Sequence, residues 1–353
     1  MLPGEFSDRI QSLIARDDLD DHLERNEADG VALAHSCARL VEAAFVRREP
    51  TALYEAQKAL YFLYEDSLKP AGSNAGHNQF NPYLIGLRNR LERGWEKFEL
   101  ARIGTLPEDV PADPDAFREY FVRSCWAHKM IGHPLFQFLR DEATRGDLIS
   151  FFVSDAAVII RFCDLVVLSM VGVDDDVRPE LANNFWDEMG QGRFQDRHVE
   201  LYRDLLEYAG LNLPSDRLST EHFIEHLDWP GLTGYNLYLF LCLHRRNQFR
   251  SLGALGAAEM TDPPQYANVL AGCRRVGLDD DSRLAYYAGH TEMDVAHGDA
   301  WLENVLLPLV RRYPERRHEI VIGAQMRMNV TKDYYDDLLD TLRRGSPGRA
   351  TGG

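Results

Sequence analysis

The chain has 353 residues, 45% of them hydrophobic, enough to bury a sizeable core in one large domain or two smaller ones. A formal net charge of −17 argues against nucleic-acid or anionic-membrane partners, which need a basic face. Five scattered cysteines with no CxxC pair argue against a disulfide frame or a zinc ribbon and fit reduced thiols in a cytoplasmic protein.

The N-terminal stretch MLPGEFSDRIQSLIARDDLDDHLER lacks the basic segment and apolar core of a signal peptide. Residues 31–47 and 52–66 read as amphipathic helices, 69–82 as a loop rich in Gly, Asn and Pro, and 83–103 as a further helix. The Pro- and acid-rich stretch 105–115 reads as a linker, dividing residues 1–115, a helical extension, from a main domain over 116–344. The extension is available as a cap on that domain or as a homodimer face.

Helices follow near 115–145, 147–171, 177–189, 195–209, 219–228, 234–260, 264–275, 281–313 and 315–344. The apolar run Val158 to Val173 is interrupted by Arg161 and Asp164 and reads as a core helix, too short and charged to span a membrane. EIVIG, at 319–323, is too short to build a sheet, and the tail 345–353 reads as disordered. The fold class is therefore all-α.

The segment HTEMDVAH places His290, Asp294 and His297 at i, i+4 and i+7. At roughly 100° per residue these positions fall near 0°, 40° and −20°, one narrow stripe of a helix. Its flanks are aromatic and aliphatic (Tyr286, Tyr287, Trp301), and buried charges must be paired or bound to metal. Two imidazoles and a carboxylate make half of an iron site.

Three further groups join this stripe. Glu188 and His198 would lie about 15 Å apart along one straight helix. Gly190 and Gly192 fall between them and favour a break, so that two helices joined by a short turn could bring both groups to one site. Otherwise both are surface residues. Glu259 closes a nearly all-apolar helix, where a carboxylate opposes the helix dipole and needs either a metal or a salt bridge to Arg245, Arg246 or Arg250. Three histidines and three carboxylates without a thiolate suit iron or manganese, and a pair of metals about 3.5–4 Å apart fits that ligand count.

The motifs WDEMGQGRFQDRH, GALGAAE and HTEMDVAH, in that order, resemble those of the haem-oxygenase-like diiron oxidases, the iron-containing redox enzymes, from about residue 135 to 312. The resemblance implies a haem-oxygenase-like helical bundle whose metals sit in its middle on Glu188, His198, Glu259, His290, Asp294 and His297. It implies two iron ions cycling between Fe(II) and Fe(III), O2 as co-substrate, and attack on a C–H bond or an amine of a small substrate. Glu188 and Glu259 would serve the catalysis as well as the metal. Members that oxygenate nitrogen carry an extra Glu ligand on an earlier helix; here that region offers only Asp155 and Asp164, with Asp155 the choice for an extra ligand.

The cavity is expected to be lined by Phe152, Ile159, Phe162, Phe185, Phe194, Tyr287 and Leu255, with Arg161, Arg246 or Arg327 holding a carboxylate. Arg161, Phe152 and Tyr287 are the leading substrate contacts. These features point to an aliphatic amino acid, oxidised at carbon in the biosynthesis of a specialised metabolite, with an external electron donor as a compatible partner. The alternatives are N-oxygenation of an amine or guanidine and a metal-free binding protein or enzyme of the same fold. HFIEH, at 222–226, matches the inverted zinc-protease helix but brings no third ligand.

Overall fold

Short polar side chains and prolines open many of the helices. In the computed structural model, Asn81 caps the helix after it through bonds from Tyr83 N and Leu84 N, and Asp113 and Thr144 do the same for theirs. The structure describes residues 5–70, 76–104, 110–211, 213 and 218–345; of residues 291–297 it describes the backbone alone. Within these the protein is all-α. The chain forms two compact units, residues 1–104 and 105–353.

The first unit consists of α1 (Glu5–Ile14), α2 (Leu19–Arg25), α3 (Glu27–Val41), α4 (Pro50–Glu65) and α5 (Pro82–Ile103). Its core gathers Phe6, Ile10, Leu33, Leu60, Leu91 and Trp95. Buried Glu55 accepts bonds from Ser7 N and Ser7 Oγ, both 3.2 Å, tying α4 to α1.

The second unit begins with α6 (Pro114–Trp126), α7 (Pro134–Asp141), α8 (Arg145–Met170), α9 (Arg178–Glu188) and α10 (His198–Ala209). It continues with α11 (Trp229–Leu243), α12 (Gln248–Thr261), α13 (Pro263–Arg275), α14 (Ala285–Trp301), α15 (Leu307–Arg312) and α16 (Arg317–Gly345). Helix α8 starts in a capping box: Thr144 accepts from Asp147 N, and Asp147 accepts from Thr144 N. Helices α12 and α16 run closest together. A Cβ on Gly253 would stand 2.0 Å from the Ile320 carbonyl, and one on Gly323 would stand 1.9 Å from the Arg250 carbonyl. Only glycine permits that approach, and it lets Leu252, Leu255 and Ala257 bury completely. Burial of such leucines stabilises by about 1.5–3 kcal/mol each.

Several expected helices are interrupted. The stretch 115–145 is two helices, because His133 and Pro134 begin a new one with His133 capping Leu135 N. The stretch 234–260 breaks at His244, which is extended, and Asn247 donates to the Phe240 carbonyl that the break frees. Residues 219–228 form two short 3-10 turns, Thr220–His222 and Ile224–His226, so His222 and His226 share no α-helical face and the zinc-protease match has no helix to stand on. The stretch 281–313 passes through a π turn at Leu302–Leu306, and EIVIG lies inside α16. The tail 346–353, residues 105–109 of the linker stretch and residues 71–75 of the loop lie outside the described residues. No helix among the described residues is long and apolar enough to cross a membrane.

Candidate metal centre

Glu188 is the last residue of α9 and His198 the first of α10. Between them the chain makes two 3-10 turns, with Gly190 at φ +62° and Gly192 at φ +85°. The reversal needs glycine at 190 for a second reason. A Cβ there would lie 2.5 Å from the Asp196 carbonyl carbon and 2.6 Å from Arg197 N. The two helices therefore meet where the sequence allowed them to, and Glu188 Oε2 comes to 2.8 Å from His198 Nδ1, with both residues buried.

His290 on α14 completes the group. Ligand atoms of Glu188, His198 and His290 lie within 4.8 Å of one another. The two imidazoles are 4.5 Å apart between ring centroids, and Tyr286 packs against both. His290 Nδ1 donates to the Tyr286 carbonyl at 2.5 Å, which fixes the tautomer and leaves Nε2 with its lone pair.

Glu259, near the end of α12, is buried and lines a cavity of about 90 Å³ together with Glu188 and His290. Asn184, one turn before Glu188 on α9, donates to Glu259 Oε1 at 3.2 Å. Of the arginines considered for Glu259, Arg250 pairs with Glu319, Arg245 donates to the carbonyls of Val171 and Gly172, and Arg246 lies over the Phe240 ring. The rest of the wall includes Val158, Ile159, Phe162, Tyr238 and Tyr266. Oxygen and imidazole donors gathered in a buried, partly apolar pocket fit an iron ion. The side chains of Asp294 and His297 lie outside the described residues; the backbone that carries them is part of α14.

The other expected contacts are placed differently. Asp155 lies outside the Glu188–His198–His290 group, and its Oδ1 accepts from the Tyr334 hydroxyl at 2.7 Å. Arg161 pairs with Asp164 at 3.0 Å. Phe152 is buried behind the cavity wall, against Tyr287, and its carbonyl accepts from the Tyr202 hydroxyl. Phe194 is exposed, with Arg197 stacked on its ring. Tyr287 and Arg327 line a neighbouring cavity, and Ile159 lines both that cavity and the one beside Glu188, as expected. Sequence reasoning missed Asn184 and Tyr266. Asn184 stands four residues before Glu188, a spacing that could have marked it.

A family model described as iron-containing redox enzyme matches residues 150–332. The 4-chloro-allylglycine synthase of Streptantibioticus cattleyicolor is 23% identical over 270 residues, covering 71% of this chain and 94% of that protein. A solved structure of a CADD-like protein of unknown function from Nostoc punctiforme covers 65% of this chain and 97% of that one, with 16% identity and a TM-score of 0.46. The matched stretch runs from within α8 to within α16 and contains every residue of the Glu188–His198–His290 group, so the chain is an all-α, haem-oxygenase-like oxidoreductase that belongs to the iron-containing redox enzyme family.

Proposed function

We propose that this protein is a non-haem diiron oxidase that uses O2 to oxidise an aliphatic C–H bond of a small, amino-acid-like metabolite. Desaturation, cyclisation or fragmentation would follow, within the biosynthesis of a specialised metabolite. The observation that carries the reading is the convergence of buried Glu188 and His198 with half-buried His290, and Glu259 on the wall of the cavity that Glu188 and His290 line. Glu188, His198, Glu259, His290, Asp294 and His297 would hold two iron ions, which when bound supply the electrons that activate O2.

The protein's own groups prepare that chemistry. The Tyr286 carbonyl holds His290 in one tautomer, and Asn184 holds one oxygen of Glu259. Such outer bonds orient a ligand and raise its basicity. Val158, Ile159, Phe162 and Ala258 present hydrocarbon to the cavity and limit the water beside a reacting carbon. Burial keeps the Tyr266 hydroxyl protonated, so it faces the cavity as a neutral hydrogen-bonding group. The Streptantibioticus relative is a 4-chloro-allylglycine synthase, which supports an amino-acid-like substrate here. Asp155 lines the neighbouring cavity and accepts from Tyr334 there, which supports oxidation at carbon over N-oxygenation.

Oxygen-dependent consumption of C-deuterated and unlabelled aliphatic amino acids tests the reading. A primary isotope effect of about 2 or more on substrate consumption is expected, because C–H cleavage would contribute to the barrier. Hydroxylamine or nitroso products without an isotope effect would overturn it in favour of N-oxygenation.

A further inference from the structure

Helix α8 carries Asp155, Ile159 and Phe162 at i, i+4 and i+7, on one stripe. Asp155 lines a cavity of about 110 Å³, Phe162 lines the one that holds Glu188 and His290, and Val158 and Ile159 line both. Tyr238, Asp262 and Tyr266 are shared walls as well. At the helical rise, Asp155 and Phe162 are about 10 Å apart along the axis. The shared walls place the two cavities side by side along α8, one beside Asp155 and the other beside Glu188 and His290.

The charge of the Asp155 cavity is unbalanced. Its charged residues are Asp155, Asp262 and Arg327. Arg327 is committed: it pairs with both oxygens of Asp262 and donates to Tyr238 and Thr261. Asp155 accepts a bond from Tyr334, and among the described residues no basic side chain pairs with it. Burial pushes its carboxyl up to about 7, against the pull of that bond, and the charge of Asp262 adds to the rise. The surrounding tyrosines, 202, 266, 287, 334 and 335, are themselves shifted upward by burial and stay neutral donors. A half-buried carboxylate without a cation is costly, and aromatic faces around it favour a cationic ligand. An anionic ligand would find Arg327 already taken.

We propose that Asp155 is the counter-ion for the ammonium group of an aliphatic amine substrate, whose carbon chain runs along α8 toward Glu188 and His290. The orientation of the chain rests on the oxidase reading, whereas the ammonium site rests on the cavity's own charge. Arg327, considered from sequence as a carboxylate anchor, instead neutralises Asp262.

Calorimetric titration of the anaerobic, Fe(II)-loaded protein with n-hexylamine, L-lysine and hexanoate tests this, with iron content measured alongside. The amine probes should bind and hexanoate should not. Asp155→Asn should weaken amine binding about tenfold or more, the loss expected when a charged hydrogen-bond partner is removed. Asp155→Glu keeps the charge and should retain binding within a few-fold, and both variants should keep wild-type iron content. Amine affinity should rise between pH 6 and pH 8 as Asp155 ionises. Equal binding of hexylamine by Asp155→Asn, binding of hexanoate as tight as that of hexylamine, absence of amine binding by the wild type, or loss of iron in Asp155→Asn would overturn the assignment. The two readings fail separately. Two irons without amine binding would sink the ammonium site alone, and amine binding without a second iron would sink the diiron reading alone.

Discussion

Arg327→Met is expected to lower the stability of the second unit by about 3–5 kcal/mol, the usual penalty for removing one partner of a buried ion pair. Arg327 is 2% exposed, and α16 delivers it across to Asp262 at the start of α13. Burial opposes its charge, yet Asp262, with Tyr238 and Tyr335, holds the guanidinium well above the usual arginine range. Methionine fills much of the volume but removes the guanidinium that both oxygens of Asp262 accept from. The urea midpoint should fall at unchanged slope, which separates a stability effect from a change in the unfolded chain. A second variant, Arg327→Met with Asp262→Leu, should recover most of the loss, because a buried pair replaced by packed apolar groups is often neutral. A single variant within about 1 kcal/mol of wild type would mean that the pair is not the fastening between α13 and α16 that its burial indicates.

Glu188→Ala is expected to abolish iron-dependent turnover and to lower iron content by at least one ion per chain, while leaving the helical signal intact. The residue ends α9, so no helix runs through it to be broken. Asn184→Ala makes the graded comparison. It removes the bond that holds Glu259 without touching the Glu188–His198–His290 group. Loss of such an orienting partner typically costs about 10–100-fold in metal affinity or activity. Unchanged iron in Glu188→Ala, or a larger loss in Asn184→Ala than in Glu188→Ala, would contradict the assignment of ligand and orienting residue.

Much of the site was legible because local rules decide it. Two glycines placed between Glu188 and His198 announce a reversal, and Gly190 at positive φ, pressed against Asp196, is the physical form of that signal. The four-residue step from Tyr286 to His290 is likewise local, and it puts a carbonyl under the imidazole. Helical periodicity along most of the chain, with no convincing alternating strand, was enough to expect an all-α protein.

Partners distant in the chain were not legible. Asp155 meets Tyr334 across 179 residues, and nothing near Asp155 in sequence tells whether it faces a metal or a hydroxyl. The aromatic residues chosen for the cavity illustrate the same limit. Phe162 lines the metal cavity, whereas Phe152 is sealed behind Tyr287 and Phe194 lies in the open under Arg197. Hydrophobicity alone does not distinguish a wall from its backing. The break at 244–247 has no proline or glycine to mark it. It is held by Asn247 reaching back to Phe240 and by Arg245 reaching over to Gly172, and the second of these links residues 73 apart in the chain.

We propose that two iron ions bind to the histidines and carboxylates of this chain. Anaerobic titration with Fe(II), followed by rapid mixing with O2 and Mössbauer spectroscopy, is the decisive test. Uptake of two equivalents per chain and a magnetically coupled ferric pair after oxygen are expected, both lost in Glu188→Ala. Saturation at one equivalent or fewer, with uncoupled ferric signals in the folded wild-type protein, would contradict it.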